Sequence, residues 1–464
     1  MARFIIKDID WVATVDPERR LIKGGAIAVA GDRIEAVGKQ ADLERTFNPE
    51  ATIDGRGLMA VPGLIDTTVA PVQQLGRGAG ELCDMSQYRL ERTLAYEGAL
   101  TSEDAVCAAR ACMLEITLAG TTCFVDSGSR FPDEIAAAAD AAGLRAIVSR
   151  ACLDQFDTVM GPVPASLTRE STEETVKYAA AAVDRQRRRE NPRIHAGIAL
   201  PWLAACTDDL CRSVAEVAAE SKIRVVAGAG CSRDDAVGSR LQHGKTETER
   251  LRNAGLLGPT TIVSHAGWTS PTDMVALRDT DTNVACCPSM SHRLGTGSLE
   301  FGRYPELLAF GVNVTLGSGS PMASNYVDIV RQLYLFSGGN KSFRVDATVT
   351  PPETSLEMAT INAARAIGLE REIGSLEAGK KADIVLFQVH ASDWVPLINP
   401  LANLVFSSRG GAHTVIVDGE LLLQDRQPKR MVVDSVLAEC QQRAQAVMAR
   451  SGLARYCSPR WPIV

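Results

Sequence analysis

The chain has 464 residues, 45% of them hydrophobic and 23% charged, with a net charge of −7. This composition excludes disorder as the main state, and the acidic balance leaves no basic surplus for nucleic acid or an anionic membrane. The length fits one large domain or two to three small ones, and such a chain buries enough apolar surface to fold without disulfides or a structural metal.

The first residues, Met1-Ala2-Arg3-Phe4-Ile5-Ile6-Lys7-Asp8, lack an apolar stretch of signal-peptide length. No apolar run approaches the ~18–20 residues of a membrane span. A cytoplasmic protein with no membrane partner is expected, with its 12 cysteines as free thiols. There is no CxxC pair, which argues against a zinc ribbon.

The first sixty residues read as short strands. Ile27–Ala30, the turn Gly31-Asp32 and Arg33–Val37 predict a hairpin. Eight strand-like runs follow: Leu58–Ile65, Thr121–Val125, Ala146–Ser149, Ile194–Ile198, Arg224–Ala227, Thr261–Ser264, Asn283–Ala285 and Val312–Leu316. Helical patterns lie between them. Ser102–Leu118 has Thr101 or Ser102 as N-cap and a stop at Gly120, and Thr172–Arg189 ends in basic residues. The tail returns to strands at Ala382–Phe387 and Thr414–Val417, with a turn at Asp418-Gly419. The expected fold is α/β: a (β/α)8 TIM barrel over 60–374, a composite β-sandwich from 1–59 and 375–430, and a C-terminal helix and tail over 431–464.

In such a barrel, chemistry sits just beyond the C-terminal ends of the strands. His265 stands there and is the best of six histidines as a general acid or base. A neutral hydrogen-bonding imidazole is the competing reading. Cys231 is its candidate nucleophile, against an inert buried thiol. Asp66, Asp126 and Asp154 sit at or just beyond the ends of the first three strands, either to hold a magnesium-like ion or, as favoured here, to cap helices or turns. Trp202 could stack on a planar ligand or pack in the core. His195 reads as a packed core residue, His243 as part of a loop or helix over the barrel, and His390 and His413 as surface residues.

Val61-Pro62-Gly63-Leu64-Ile65-Asp66, Leu294-Gly295-Thr296-Gly297, Gly374–Asp383 and Val415-Ile416-Val417-Asp418-Gly419 together resemble the amidohydrolase superfamily. The nearest branch holds cytosine and guanine deaminases, 8-oxoguanine deaminase and triazine chlorohydrolases. The resemblance implies a barrel with a composite β-sandwich, often in a homodimer. It also implies hydrolysis by a metal-bound water, with ligands from a His-x-His after strand 1, a His after strand 5 and an Asp after strand 8. A Glu three residues past the strand-5 His shuttles protons, and a His follows strand 6.

This sequence departs from that pattern. Thr68-Val69-Ala70 stands for His-x-His, Gly228-Ala229-Gly230-Cys231-Ser232 for the strand-5 motif, and Gly319 for the Asp. Only the strand-6 position is kept, as His265. Cys286-Cys287-Pro288 replaces a common His-Cys-Pro. Threonine is a poor zinc ligand, and alanine and glycine offer no side-chain donor. No metal and no cofactor are expected.

The sequence therefore favours an enzyme on an amidohydrolase scaffold without the family metal. It would act on a small planar nitrogen-containing molecule, by C–N hydrolysis or a lyase or isomerase step. His265, Cys231 and Asp126 are its catalytic candidates. Thr68, Gln73, Gln74, Arg77, Trp202, Ser289, His292 and Gly319 are its substrate-binding candidates. The alternative is an inactive homologue serving as a ligand-binding or regulatory partner. A homodimer is expected in either case.

Overall fold

The computed structural model describes residues 3–155, 170–188 and 190–462. Eight parallel strands pair in chain order: Leu64–Val69, Thr121–Asp126, Arg145–Ala151, Ile194–Leu200, Arg224–Ala229, Thr261–His265, Asn283–Cys286 and Val314–Leu316. They are called barrel strands 1 to 8 below. A parallel bridge between Val69 and Gly319 brings the two ends of the sheet together. The Thr67 hydroxyl strengthens that seam, lying 2.8 Å from the Leu316 carbonyl and 2.7 Å from the Thr315 hydroxyl. The result is a TIM barrel with a terminal β domain.

The strands read as near-continuous apolar runs because both faces are covered. Ile65, Val125, Ile147, Ala199, Val226 and Ile262 form one buried cluster, contributed by six strands. It is the inward row of the barrel. Alternate residues such as Leu64, Phe124, Val148 and Val263 pack in the larger cluster under the helices.

The expected run Leu58–Ile65 is divided. Leu58–Pro62 pairs antiparallel with Ile384–Gln388 in the terminal sheet, and barrel strand 1 starts at Leu64. Gly63 makes the break. Its N–H bonds the Asp383 carbonyl at 2.9 Å, and a Cβ there would overlap Thr122. The terminal domain is a nine-stranded hydrogen-bonded sheet built from both ends of the chain, including Arg3–Ala13, Leu21–Ala30, Arg33–Lys39 and Thr414–Val417. Buried Arg145 on barrel strand 3 ties the two parts together, 3.3 Å from Asp383 and 2.7 Å from Asp418.

Local chemistry sets the helix ends. Ser102–Ala119 has a reciprocal capping box between Thr101 and Asp104, and it ends at Gly120 with φ +95°. The C-terminal helix Val433–Ser451 packs beside it, where Arg443 lies 3.2 Å from Asp104. Helix Thr172–Arg188 reaches the edge of the described residues, and Arg189 lies outside them. No helix among the described residues is long and apolar enough to cross a membrane.

Candidate functional site

A cavity of about 90 Å³ opens at the C-terminal ends of the barrel strands. Its walls are drawn from widely separated segments. Thr68 comes from barrel strand 1, Trp202 follows strand 4, His265 ends strand 6, and Gly319 and Ser320 follow strand 8. Gln73, Tyr88 and Glu97 come from the turns and short helix between barrel strand 1 and helix Ser102–Ala119.

These polar groups form one chain. The Gln73 amide N–H donates to Glu97 Oε1 at 3.1 Å. Gln73 Oε1 accepts from the Tyr88 hydroxyl at 2.8 Å and from Ser320 Oγ. The Tyr88 hydroxyl also lies 2.8 Å from Ser320 Oγ, which accepts from the backbone N–H groups of Met322 and Ala323. Burial raises the Glu97 carboxyl above its ordinary value, and the Gln73 bond opposes that rise. Burial also raises the Tyr88 phenol, so it acts as a neutral donor.

His265 holds the backbone in a left-handed conformation, φ +75°, followed by Ala266 at φ +47°. Non-glycine residues there cost roughly 1–3 kcal/mol each and cluster at functional sites. The Tyr304 hydroxyl holds the His265 carbonyl at 2.6 Å. Burial, with the Arg89 guanidinium nearby, pushes the imidazole down to about 4. A neutral ring at pH 7 can accept or donate a hydrogen bond, but as a base it is weak. Its expected role as the main acid or base therefore loses its physical footing.

Thr68, Gln73, Trp202, His265 and Gly319 meet at the cavity, while six other sequence candidates lie elsewhere. Cys231 is buried, and burial pushes its thiol far above the ordinary value, which suits an inert thiol. Asp126 is fully buried and accepts from the N–H groups of Gly128 and Ser149, each at 3.2 Å. It braces the ends of barrel strands 2 and 3. Gln74 and Arg77 both bond Glu115, on the opposite side of the turn from Gln73. A 3-10 turn sends adjacent residues in different directions, which separates Gln73 from Gln74. Ser289 sits behind the wall, bonded to Gln332 at 2.9 Å. His292 stacks on Phe343 with ring centroids 6.4 Å apart, away from the cavity.

The other carboxylate candidates are bonded within the fold. Asp66 accepts from the N–H of Ser318 at 3.0 Å, from the N–H of Thr68 at 3.1 Å, and from Ser318 Oγ. Asp154 takes the N–H of Thr207 at 2.8 Å and the hydroxyls of Thr172 and Thr207. Among the described residues, no group of three or more His, Cys, Asp or Glu side chains is placed to hold a metal ion. His195, expected in the core, is only half-buried, with its Nδ1 3.3 Å from Gln186 of helix Thr172–Arg188.

Tyr88, Glu97 and Ser320 were not legible in the sequence. Glu97 belongs to an ordinary short helical pattern, and Ser320 reads as the N-cap of Pro321–Ser324. A Ser-Pro pair just after barrel strand 8 was the one available signal.

The positions where the resemblance expects metal ligands have a distinct geometry. Thr68 Oγ donates to the Thr67 carbonyl at 2.7 Å. A Cβ at Gly228 would overlap the Pro201 carbonyl. Gly319 has φ +73°, donates its N–H to the Thr68 carbonyl at 2.7 Å, and accepts the N–H of Ala70 at 3.1 Å.

Comparison with known proteins supports one scaffold. The amidohydrolase family description matches residues 59–422. A 5-methylthioadenosine/S-adenosylhomocysteine deaminase of Moorella thermoacetica is 29% identical over 96% of this chain and 99% of its own. A 5'-deoxyadenosine deaminase of Methanosarcina mazei is 28% identical over 97% of this chain and 99% of its own. Among solved structures, a zinc-bound adenosine deaminase of Xanthomonas campestris superposes with a TM-score of 0.89, at 23% identity over 96% of this chain and 98% of that one. A zinc-complexed atrazine chlorohydrolase of Arthrobacter aurescens gives 0.84, at 22% identity over 96% and 100% of the two chains. At those identities the structural likeness carries the fold.

Proposed function

The chain belongs to the amidohydrolase family, and from that premise we propose that it hydrolyses a C–N bond of a small planar nitrogen heterocycle without the family's metal. The relatives' names support the substrate class, since they act on adenine derivatives. The observation that carries the reading is the cavity itself. It places the Glu97 carboxyl, the Gln73 amide and the Trp202 ring around one small space at the catalytic end of the barrel.

The residues at the four family ligand positions do not fit a divalent ion. Thr68 is occupied by a local hydrogen bond, and Ala70, Gly228 and Gly319 have no donor. No step is therefore drawn through a metal. In the proposed reaction, a water oxygen bonds to the ring carbon that carries the amine. The Glu97 carboxylate takes a proton from that water and returns it to the leaving nitrogen as the C–N bond breaks. Ammonia departs and leaves a ring hydroxyl, which carries the remaining proton of the water, and that proton moves to the neighbouring ring nitrogen to give the ring carbonyl. A carboxyl with a raised pKa suits both transfers. Trp202 supplies a face for the ring, and Gln73, Tyr88 and Ser320 supply polar contacts at its edge.

Ammonia release from adenosine, 5'-deoxyadenosine and cytosine, in chelated buffer and with added zinc, tests the reading. Turnover in chelated buffer that Glu97→Gln removes is expected. The second reading, a ligand-binding homologue without activity, draws on the replaced ligand positions and the small cavity. Saturable binding with no ammonia from any substrate would favour it. Turnover only with zinc would overturn the metal-free reading.

A further inference from the structure

The cavity is small for its proposed occupant. Ligand sites usually enclose about 300–1,000 Å³, whereas this one encloses about 90 Å³. If the cavity is the ligand site, as proposed above, part of its surround must move to admit a ring.

Helix Arg233–His243, which follows barrel strand 5, has the construction for such a movement. It lies between Gly230 at φ +62° and Gly244 at φ +64°. Ser239 is its one buried residue, while Val237 and Leu241 face solvent. Its N-terminus is self-contained, because Ser232 and Asp235 form a reciprocal capping box. The helix therefore has little apolar anchorage, which is the physical signature of a segment that opens locally.

Among the described residues, one strong side-chain tie joins this helix to the other side of the barrel mouth. Asp235 pairs with Arg89, which stands in the π-helical segment Tyr88–Thr93 after barrel strand 1, and each side chain is about nine-tenths buried. Burial works against both charges. The pairing more than offsets it, holding the Asp235 carboxyl below and the Arg89 guanidinium above their ordinary values. That guanidinium lies 5.5 Å from the centre of the Trp202 ring, which lines the cavity. At the hinge end, Glu247 accepts the Gly230 N–H at 2.5 Å.

We propose that helix 233–243 is a lid on the cavity and that the Arg89–Asp235 pair is its latch. Closed, the latch spans the loops after barrel strands 1 and 5 and covers the Trp202 face. Open, the Arg89 guanidinium moves off the Trp202 ring and the gap between the two loops widens.

Hydrogen exchange by mass spectrometry on the full chain tests the latch without any ligand. Amides of 233–243 should exchange faster than those of Ser102–Ala119 in the wild type. Arg89→Met leaves the lid's own capping box intact. It should speed exchange in 233–243 by at least about 10-fold and leave Ser102–Ala119 unchanged. Arg89→Gln, which also spares the capping box, should do the same, and it decides the matter if the first variant does not fold. The proposal is overturned if 233–243 exchanges only with global unfolding, or if neither variant changes its rate selectively. Either failure leaves the ammonia assay to judge the ligand reading by itself.

Discussion

Asp66 offers a stability test worked from geometry. It is fully buried at the end of barrel strand 1, and burial pushes its carboxyl from 3.8 up to about 7, against three hydrogen bonds. The folded state therefore holds a proton that the unfolded chain releases near pH 4. The resulting stability is complete below pH 3.8 and is lost as pH rises toward 7. A shift of about three units corresponds to about 4 kcal/mol, as an upper value for a buried group. Asp66→Asn mimics the protonated form. Its carbonyl oxygen can accept the N–H groups of Ser318 and Thr68, and its amide can donate to Ser318 Oγ. The variant should match the wild type near pH 4 and exceed it by about 2–4 kcal/mol at pH 8, measured by urea unfolding. Asp126, also raised to about 7 by burial, should keep a residual slope of the same sign in the variant. A variant less stable than wild type at pH 8, or a difference that does not change with pH, would refute the reasoning.

Other outcomes follow from single contacts. Glu97→Gln keeps the bond partner of Gln73 but not the proton acceptor, so turnover should fall at least about 100-fold while ligand binding persists. Arg145→Leu leaves buried Asp383 without its cation and should cost about 3–5 kcal/mol in urea unfolding; a loss under about 1 kcal/mol would remove its proposed role in tying barrel to sheet. Gly228→Ala sets a methyl against the Pro201 carbonyl and should cost about 1–3 kcal/mol. By the same overlap, Gly228→His together with Thr68→His should bind no zinc by metal analysis, and stoichiometric zinc would show that the mouth relaxes more easily than its packing implies.

Much of the architecture was already written in the sequence. Short apolar runs located barrel strands 2 to 7 within a few residues, and Thr101 with Gly120 bounded the long helix, because capping and apolar runs are local features. Residue type alone also marked Thr68-Val69-Ala70, the segment Gly228–Ser232 and Gly319 as departures from the family's ligand pattern. Tertiary structure decided the rest. The break at Gly63 depends on Thr122 and Asp383, far away in the chain. Gln73 and Gln74 are adjacent and chemically alike, yet one faces the cavity and the other faces Glu115. Glu97 becomes a candidate for chemistry only where folding partly buries it and sets Gln73 and Ser320 nearby. A side chain's type is local information. Its direction, its solvation and its partners are properties of the closed barrel.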